Sequence, residues 1–554
     1  MNSLLIAGLL ARVSIADFGA VPDDGLDDSA AIAAAVHSTK GRQNDVIYVP
    51  AGIWNTSQPI TLHSWLGLAG EGAEKSVIKS LPQAPNWGVT MLGTEAALVQ
   101  NVSVLDLTLD CAGLDMLGGI AAYWGRKFHV AGVHVKNVGG VRMSAGVHWI
   151  KEVDDTIIER CLFENISWEG EWGAGVRCSW GSDHCRMVKN VARHVSRIGF
   201  GINNGGEWGV ISGNVAEDIR KEKLGAELWQ GGDRTIIEDN TLDNWLSLGG
   251  CKYVAARRNV IGTKRGVGYC GFEIGDGNSC VVGTDNMVDG GQCHGLAVSG
   301  AGRRDFVYLA RNTFNRSTTY GATTTSSMVG DQVNEFWYHY ANAWANTLPA
   351  NNPDVAPSEA PWGHGGYGLR LYGGDKKITY DACVIIGNPG AALAVLMGGE
   401  NLMRIDWKNC RFIGNGRLYF PIWLASSYPK DMTWTNNQVI DTPRLGPYGA
   451  AHDGFMEPTQ MYDPKKAAEA QHYIGPLRII HTGERTKGVV NRFHIGGREN
   501  LARVAGVLWD FSEGIPAFGL STERVFSVGD KEVTAVLWLT DGTAKRVLAA
   551  FRID

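Results

Sequence analysis

Apolar residues recur along this chain in short alternations that return at nearly constant intervals. The rows "GAGVRC" from Gly173, "GFGINN" from Gly199, "GAELWQ" from Gly225, "WLSLGG" from Trp245, "GFEIGD" from Gly271 and "GLAVSG" from Gly295 start 26, 26, 20, 26 and 24 residues apart. "SAGVHW" from Ser144 precedes them, and "GYGLRL" from Gly366 resumes the pattern. In each row the second and fourth positions are apolar, as in Phe272 and Ile274. A period of two turns these inward and sends the third and fifth positions outward. Between the rows a second segment brings an Asn to a matching place: Asn190, Asn214, Asn240, Asn259, Asn286 and Asn312, with later copies near Asn409 and Asn437. Two short strands plus turns every 20–29 residues predict an all-β solenoid, a right-handed parallel β-helix. One coil is too small to bury its own apolar face and must stack on the next. The Asn column predicts stacked corners in which side-chain amides bond to one another and to the backbone.

The ends of the chain read differently. "DDSAAIAAAVHST" places Asp before an Ala/Ile-rich run at helical spacing, which predicts a capped helix over the open end of the solenoid. "DVIYVPAGIW" and "LGLAGEG" follow as first strands and turns. From about Gly446 the coil rhythm stops, and "RIIHTG", "GVLWDFS", "VTAVLWLT" and "KRVLAAFRID" predict antiparallel strands of a C-terminal β-sandwich. The stretch 317–365 reads as a long polar and aromatic insertion.

"VSIADFGAVPDDGLDDSAAIAAAV", with "VIYVPAGIW" and "LGLAGEG", resembles the pectate-lyase-like N-terminal β-helix module of phage tailspikes and capsule depolymerases. These motifs cover about the first 75 residues, and the coil pattern extends the likeness to about residue 445. Four regions are expected: an anchoring peptide 1–12, a cap with first coils 13–100, the β-helix 101–445, and the C-terminal domain 446–554. In the resembled family such a terminal domain supports trimerisation or binds sugar. The resemblance implies a homotrimer on a virion tail, docked to an adaptor through the N-terminal peptide and acting at the bacterial surface. It does not select among hydrolases, lyases and epimerases, so the reaction must come from the site.

Composition narrows the partners. The net charge of −6 carries no basic stripe, which argues against nucleic acid. No apolar run is long enough to span a membrane, and the N-terminal apolar stretch lacks a basic leader, so no secretory peptide is expected. All ten Cys lie between Cys111 and Cys410 without metal-ligand spacing. They read as small core residues of a chain assembled under reducing conditions, and neither metal nor cofactor is expected. The 19 Trp suit both a core and sugar stacking.

The outward third column reads Gly175, Gly201, Glu227, Ser247, Glu273 and Ala297; the fifth reads Arg177, Asn203, Trp229, Gly249, Gly275 and Ser299. Glu227 and Glu273 thus share a face two coils apart, with Cα atoms expected roughly 9–10 Å apart. Carboxylates about 6.5–9.5 Å apart suit inverting glycoside hydrolysis, one acid protonating the leaving oxygen and the other activating water. Asp276 is a third acid able to orient the water or shift a neighbour's pKa. Trp229, Arg177, Asn203, Ser247 and Asp233 are the candidate substrate contacts, though outward Glu is also an ordinary solvated residue. Asp233 and Glu207 fit turn roles better, and "EGEWG" at Glu169–Gly173 with Trp180 reads as a groove rim.

The expected activity is therefore endo-hydrolysis of capsular or O-antigen polysaccharide. A lyase, which needs a cation and a base, has His148, Arg177 and Tyr269 to draw on without a tight basic cluster on the aligned face. A non-catalytic receptor-binding spike is the third reading.

Overall fold

A computed structural model describes residues 12–84, 87–140, 143–170, 172–220, 224–262, 270–290, 294–300, 302–317, 320–323, 333–346, 367–371, 375–388, 393–395, 403–415, 422–424, 432–440, 477–496 and 503–554. Residues 1–11 and 441–476, with Tyr269, lie outside this set, and so do the expected anchoring peptide up to Ala11 and the expected start of the terminal domain. The chain divides into two compact units, Met1–Leu246 and Ser247–Asp554.

The first unit opens with α1, Ser29–Ser38, which buries Ile32, Ala35 and Val36. Asp28 precedes it, but its carboxylate does not cap the helix. The two oxygens instead accept the Val21 and Asn55 amides at 2.9 and 3.0 Å, tying the helix start to the first coils. Behind the helix runs a parallel β-helix with three strands per coil rather than two. The first strand of four successive coils is β1 (Ala145–Asp154), β2 (Ala174–Ser179), β3 (Ile198–Asn203) and β4 (Leu224–Trp229), paired parallel in order. A three-residue second strand follows in each coil, as in Arg186–Val188 and Val210–Ser212, then a third such as Val191–Val195 and Val215–Ile219. The second strand is too short to announce itself by alternation.

Apolar side chains fill the coils because one face of every strand has only the neighbouring sheets to meet. Phe163, Val176, Phe200, Ile202 and Leu228 are fully or almost fully buried. Two glycines set the thickness of this core. A Cβ on Gly175 or Gly199 would come within 2.8 Å of the Cβ of Ala192 or Ala216, so their absence lets the first and third strands approach.

The corner between second and third strands carries the asparagines. Asn190 Nδ2 donates to Asn214 Oδ1 at 3.0 Å, and Asn214 Nδ2 to Asn240 Oδ1 at 3.0 Å. Each Asn Oδ1 also accepts the backbone amide one coil earlier, as Asn240 does from Asn214 N at 2.9 Å. The same ladder recurs in the second unit through Asn259, Asn286, Asn312 and Asn342. Cysteines take the same corner in other coils, where the backbone amides of Cys161 and Cys410 donate to Asn190 Oδ1 and Asn437 Oδ1. Asn409, read as a ladder position, instead sits at a left-handed corner (φ 56°) and donates to Asp381, while Cys410 holds the ladder place.

In the second unit, part of the stretch read as an insertion is a further coil. Tyr320–Thr323, Val333–Tyr340 and Ala343–Ala345 pair in parallel with strands of the coil before. The terminal strands form two antiparallel sheets, one of Arg478–Thr482, Val490–Gly496 and Ser521–Val525, the other of Val504–Asp510, Ala517–Phe518, Gly529–Leu539 and Ala544–Ile553. Phe493 and Ile495 from the first meet Val507, Trp509, Val533 and Leu537 from the second in one core, making a sandwich. The other face of the four-stranded sheet, with Leu508, Val536 and Trp538, packs on Val282, Tyr308, Phe336 and Tyr338 of the coils.

Candidate active site

Register decides what the outward column contains. His148 pairs with Arg177, Arg177 with Gly201, and Gly201 with Glu227, so these four stand in one line across β1–β4. Arg177 therefore belongs with Glu227, and not with Asn203 in the neighbouring column. Ser179 is the residue that lines up with Asn203 and Trp229. The row starting at Gly173 was aligned two residues out. A two-residue slip leaves the inward and outward faces unchanged, which is why the apolar pattern did not reveal it.

The column is outward but not solvated. Arg177 is 2% exposed, His148 3%, Glu227 6% and Asn203 8%. Asn203 Nδ2 donates to Glu227 Oε2 at 2.9 Å. Between Arg177 and Glu227 stands Gly201, where a Cβ would meet Asn203 Oδ1 at 3.0 Å and Ile198 Cγ2 at 3.3 Å. The missing side chain leaves a gap with a guanidinium on one side and an oriented carboxylate on the other. An apolar ladder of Ala145, Ala174, Ile198 and Leu224 runs alongside, with Trp245 packed against it.

The segment leading into β2 forms a roof. Arg177 Nη2 donates to the Trp172 carbonyl at 3.1 Å. The Arg197 guanidinium lies 3.8 Å from the centre of the Trp172 ring, and Gly173 N donates to Ser196 Oγ at 2.7 Å. Trp172 itself is 42% exposed.

Burial sets the charge states. It lowers the Arg177 pKa to about 10, against the opposing pull of Glu227. It pushes His148 down to about 3, with the Arg177 charge acting in the same direction. His148 is thus a neutral ring at ordinary pH. Its Nδ1–H donates to the Leu117 carbonyl at 3.3 Å, leaving Nε2 unprotonated, and Nε2 has no hydrogen-bond partner among the described residues. Arg177 Nε likewise lacks one.

Glu273, Ser247 and Asp276 belong to the second unit. Phe272 and Ile274 are buried on either side of Glu273, which is itself half-buried and accepts a hydrogen bond from Ser247 Oγ at 2.6 Å. Asp276 occupies a left-handed corner (φ 40°), and Gly300 of the next coil packs against its carboxylate. Asp233 is likewise a corner residue in the first unit, its carbonyl accepting from Trp208 N at 3.0 Å. Trp229 is half-buried at the end of β4. The structure therefore gathers Arg177, Asn203 and Glu227 in one unit and pairs Ser247 with Glu273 in the other, while Asp233 and Asp276 are turn residues. His148 was not placed in this site by the sequence, although "SAGVHW" written over "GAGVRC" already sets His148 above Arg177.

Residues 12–251 match the family model described as rhamnogalacturonase A/epimerase, pectate lyase-like. Over these residues the parallel β-helix is similar to the pectate-lyase-like family. Among curated proteins none matches the sequence. Solved structures resemble the pectate-lyase-like helix at low identity. The A-module of a mannuronan C-5 epimerase from Azotobacter vinelandii is 16% identical, with 78% of this chain and 99% of that one covered and a TM-score of 0.40. An exopolygalacturonase from Thermotoga maritima is 14% identical, covering 73% and 92%, with a TM-score of 0.37. Tailspike protein 3 of bacteriophage CBA120 is 15% identical, covering 78% and 62%, with a TM-score of 0.43. Among the described residues no helix is long and apolar enough to cross a membrane.

Proposed function

We propose that the protein acts on a polysaccharide and hydrolyses it internally, as a tailspike-type depolymerase of capsular or O-antigen glycan. The family description of residues 12–251 names polysaccharide chemistry. The observation that carries the reading is Glu227, held by Asn203 and facing Arg177 across the space that Gly201 leaves open. A carboxylate fixed in orientation and beside a cation suits a general base or a stabiliser of positive charge at the anomeric carbon. Such a reaction needs a second carboxyl. Glu273, oriented by Ser247 in its own unit, is the residue assigned to that role, with Asp276 as an accessory acid. Trp229, Arg177, Asn203, Ser247 and Asp233 are assigned to substrate contacts. Because the Trp172 segment covers Arg177, the roof must shift for a sugar to reach the column.

Glu227→Gln keeps the shape and the Asn203 contact but removes the base. Its turnover of purified capsular or O-antigen polysaccharide should fall by roughly 10²–10⁴, with circular dichroism unchanged. Glu273→Gln should act likewise, and full activity in both variants would overturn the assignment.

A lyase is the second reading, favoured by the adjacency of His148 and Arg177. A neutral imidazole with a bare Nε2 beside a guanidinium is a base next to a carboxylate-binding cation. New reducing ends without an unsaturated chromophore support hydrolysis, the chromophore supports the lyase, and unchanged chain length supports an adhesin. The same proposal includes a homotrimer, read by light scattering, and docking of residues 1–12 on a virion adaptor.

A further inference from the structure

We infer that a groove beside Trp168, away from the outward column, is a second glycan subsite that takes a neutral or N-acetylated pyranose. This inference rests on the polysaccharide reading above. The groove has a volume of about 560 Å³ and lies where the third strands of successive coils turn toward β1 and β2. Its walls include Asp115, Asn137, Asn165, Ser167, Trp168 and Glu169, and its floor includes Gly113, Gly139 and Gly140, which leave it wide.

Three features suit it to a sugar ring. First, Trp168 is held in place by its neighbours. The Arg220 guanidinium lies 5.3 Å from the ring centre, and Arg220 Nη1 donates to the Trp168 carbonyl at 2.7 Å. The same guanidinium bridges Glu169 at 2.9 Å, and the His194 ring meets Trp168 edge-on at 5.4 Å. A ring fixed beforehand loses little entropy when a ligand stacks on it. Second, amides line the wall. Asn165 Nδ2 donates to Asn137 Oδ1 at 2.8 Å and Asn137 Nδ2 to Asp110 at 2.9 Å, so the ladder presents exposed Asn165 to the groove. Sugar hydroxyls match such groups, while the C–H face of the ring matches the indole. Third, the charge selects. Asp115 and Glu169 are both exposed in the lining, Glu169 already paired with Arg220. A uronate would bring a like charge to Asp115, whereas a neutral ring gains hydroxyl–carboxylate hydrogen bonds there without disturbing the Arg220–Glu169 pair.

The groove also lies close in the chain to the segment that roofs the proposed catalytic column. Trp168 and Trp172 are four residues apart and so lie within about 14 Å of each other. Trp172 carries the carbonyl that holds Arg177. One glycan chain can therefore lie on Trp168, pass Trp172 and enter the column.

The experiment uses the full chain as Glu227→Gln, on an array of neutral, N-acetylated and uronate-bearing bacterial polysaccharides. The expected result is retention of neutral or N-acetylated glycans, weakened about tenfold by Trp168→Ala and largely restored by Trp168→Phe. Melting temperature controls for folding. Binding unchanged by Trp168→Ala, or retention of uronate polymers alone, overturns the subsite. If the array retains neutral glycan through Trp168 while the wild-type chain cleaves nothing, the hydrolase reading fails and the subsite stands. If the wild-type chain retains no glycan, both fall.

Discussion

Around His148, burial works against the protonated ring, and this gives the protein an acid-sensitive spot. The folded pKa of about 3 lies below the usual value of 6.5. Above pH 6.5 both folded and unfolded chains leave the ring neutral, and it contributes no pH dependence. Between those two values the unfolded chain takes a proton that the folded chain refuses, so stability falls as pH drops through the window. His339, fully buried in the second unit and also lowered to about 3, acts in the same direction. At about pH 4 each histidine should cost up to ~3 kcal/mol relative to neutral pH. Denaturant melts of His148→Asn across this range should show a flatter pH profile than the wild type. At this scale the sequence was readable for facing and less so for neighbours. Arg177, Asn203 and Glu227 were placed outward correctly by alternation, yet Arg177 moved one column because parity survives a two-residue shift. Their burial was not readable at all. For Arg177 it involves the Trp172 segment folding over the face, and no period in the chain records a roof.

Among the structural elements, the asparagine corner is the most exposed to single substitutions. Asn214 accepts from Asn190 N and Nδ2 and donates to Asn240 and to the Met187 carbonyl, all in a fully buried position. Asn214→Ala strands those partners without water, so a loss of about 3–5 kcal/mol and a lower melting temperature are expected. A substitution at exposed Asn165 in the outer ladder should cost far less. The corner was legible because it repeats the same residue in each coil. The strand Val333–Tyr340 was not, and the reason is burial on two sides. Trp337 and His339 are buried, and so are the alternate Phe336 and Tyr338, which meet the sandwich. A strand covered on both faces shows no polar alternation, so it reads as an aromatic insertion.

At the scale of the whole molecule, the docking of the sandwich on the coils of its own unit includes a buried ion pair. Arg257 Nη2 meets Asp510 Oδ1 at 2.7 Å, with Arg257 1% and Asp510 6% exposed, and Arg257 Nη1 donates to the Gly514 carbonyl at 2.5 Å. Arg257→Met removes the cation and leaves a buried carboxylate with only the Ser512 amide to meet it, at a cost of about 3–5 kcal/mol. The docked face should then open first, seen as proteolytic release of a fragment near residues 477–554 at concentrations that spare the wild type. The sequence announced a terminal β domain but not where it rests, since the two anchors are far apart in the chain and no local pattern links them.

The buried thiols described above have a further use. Cys111, Cys161 and Cys280 are pushed up to about 12, 12 and 11 by desolvation, and Cys178, Cys185, Cys251, Cys270, Cys383 and Cys410 are buried as well. A closed coil therefore hides its sulfur from an alkylating reagent, and an open coil releases it. Spread through the coils of both units, these cysteines act as built-in clocks. The order in which they become alkylated under mild denaturant would give the order in which the helix unwinds.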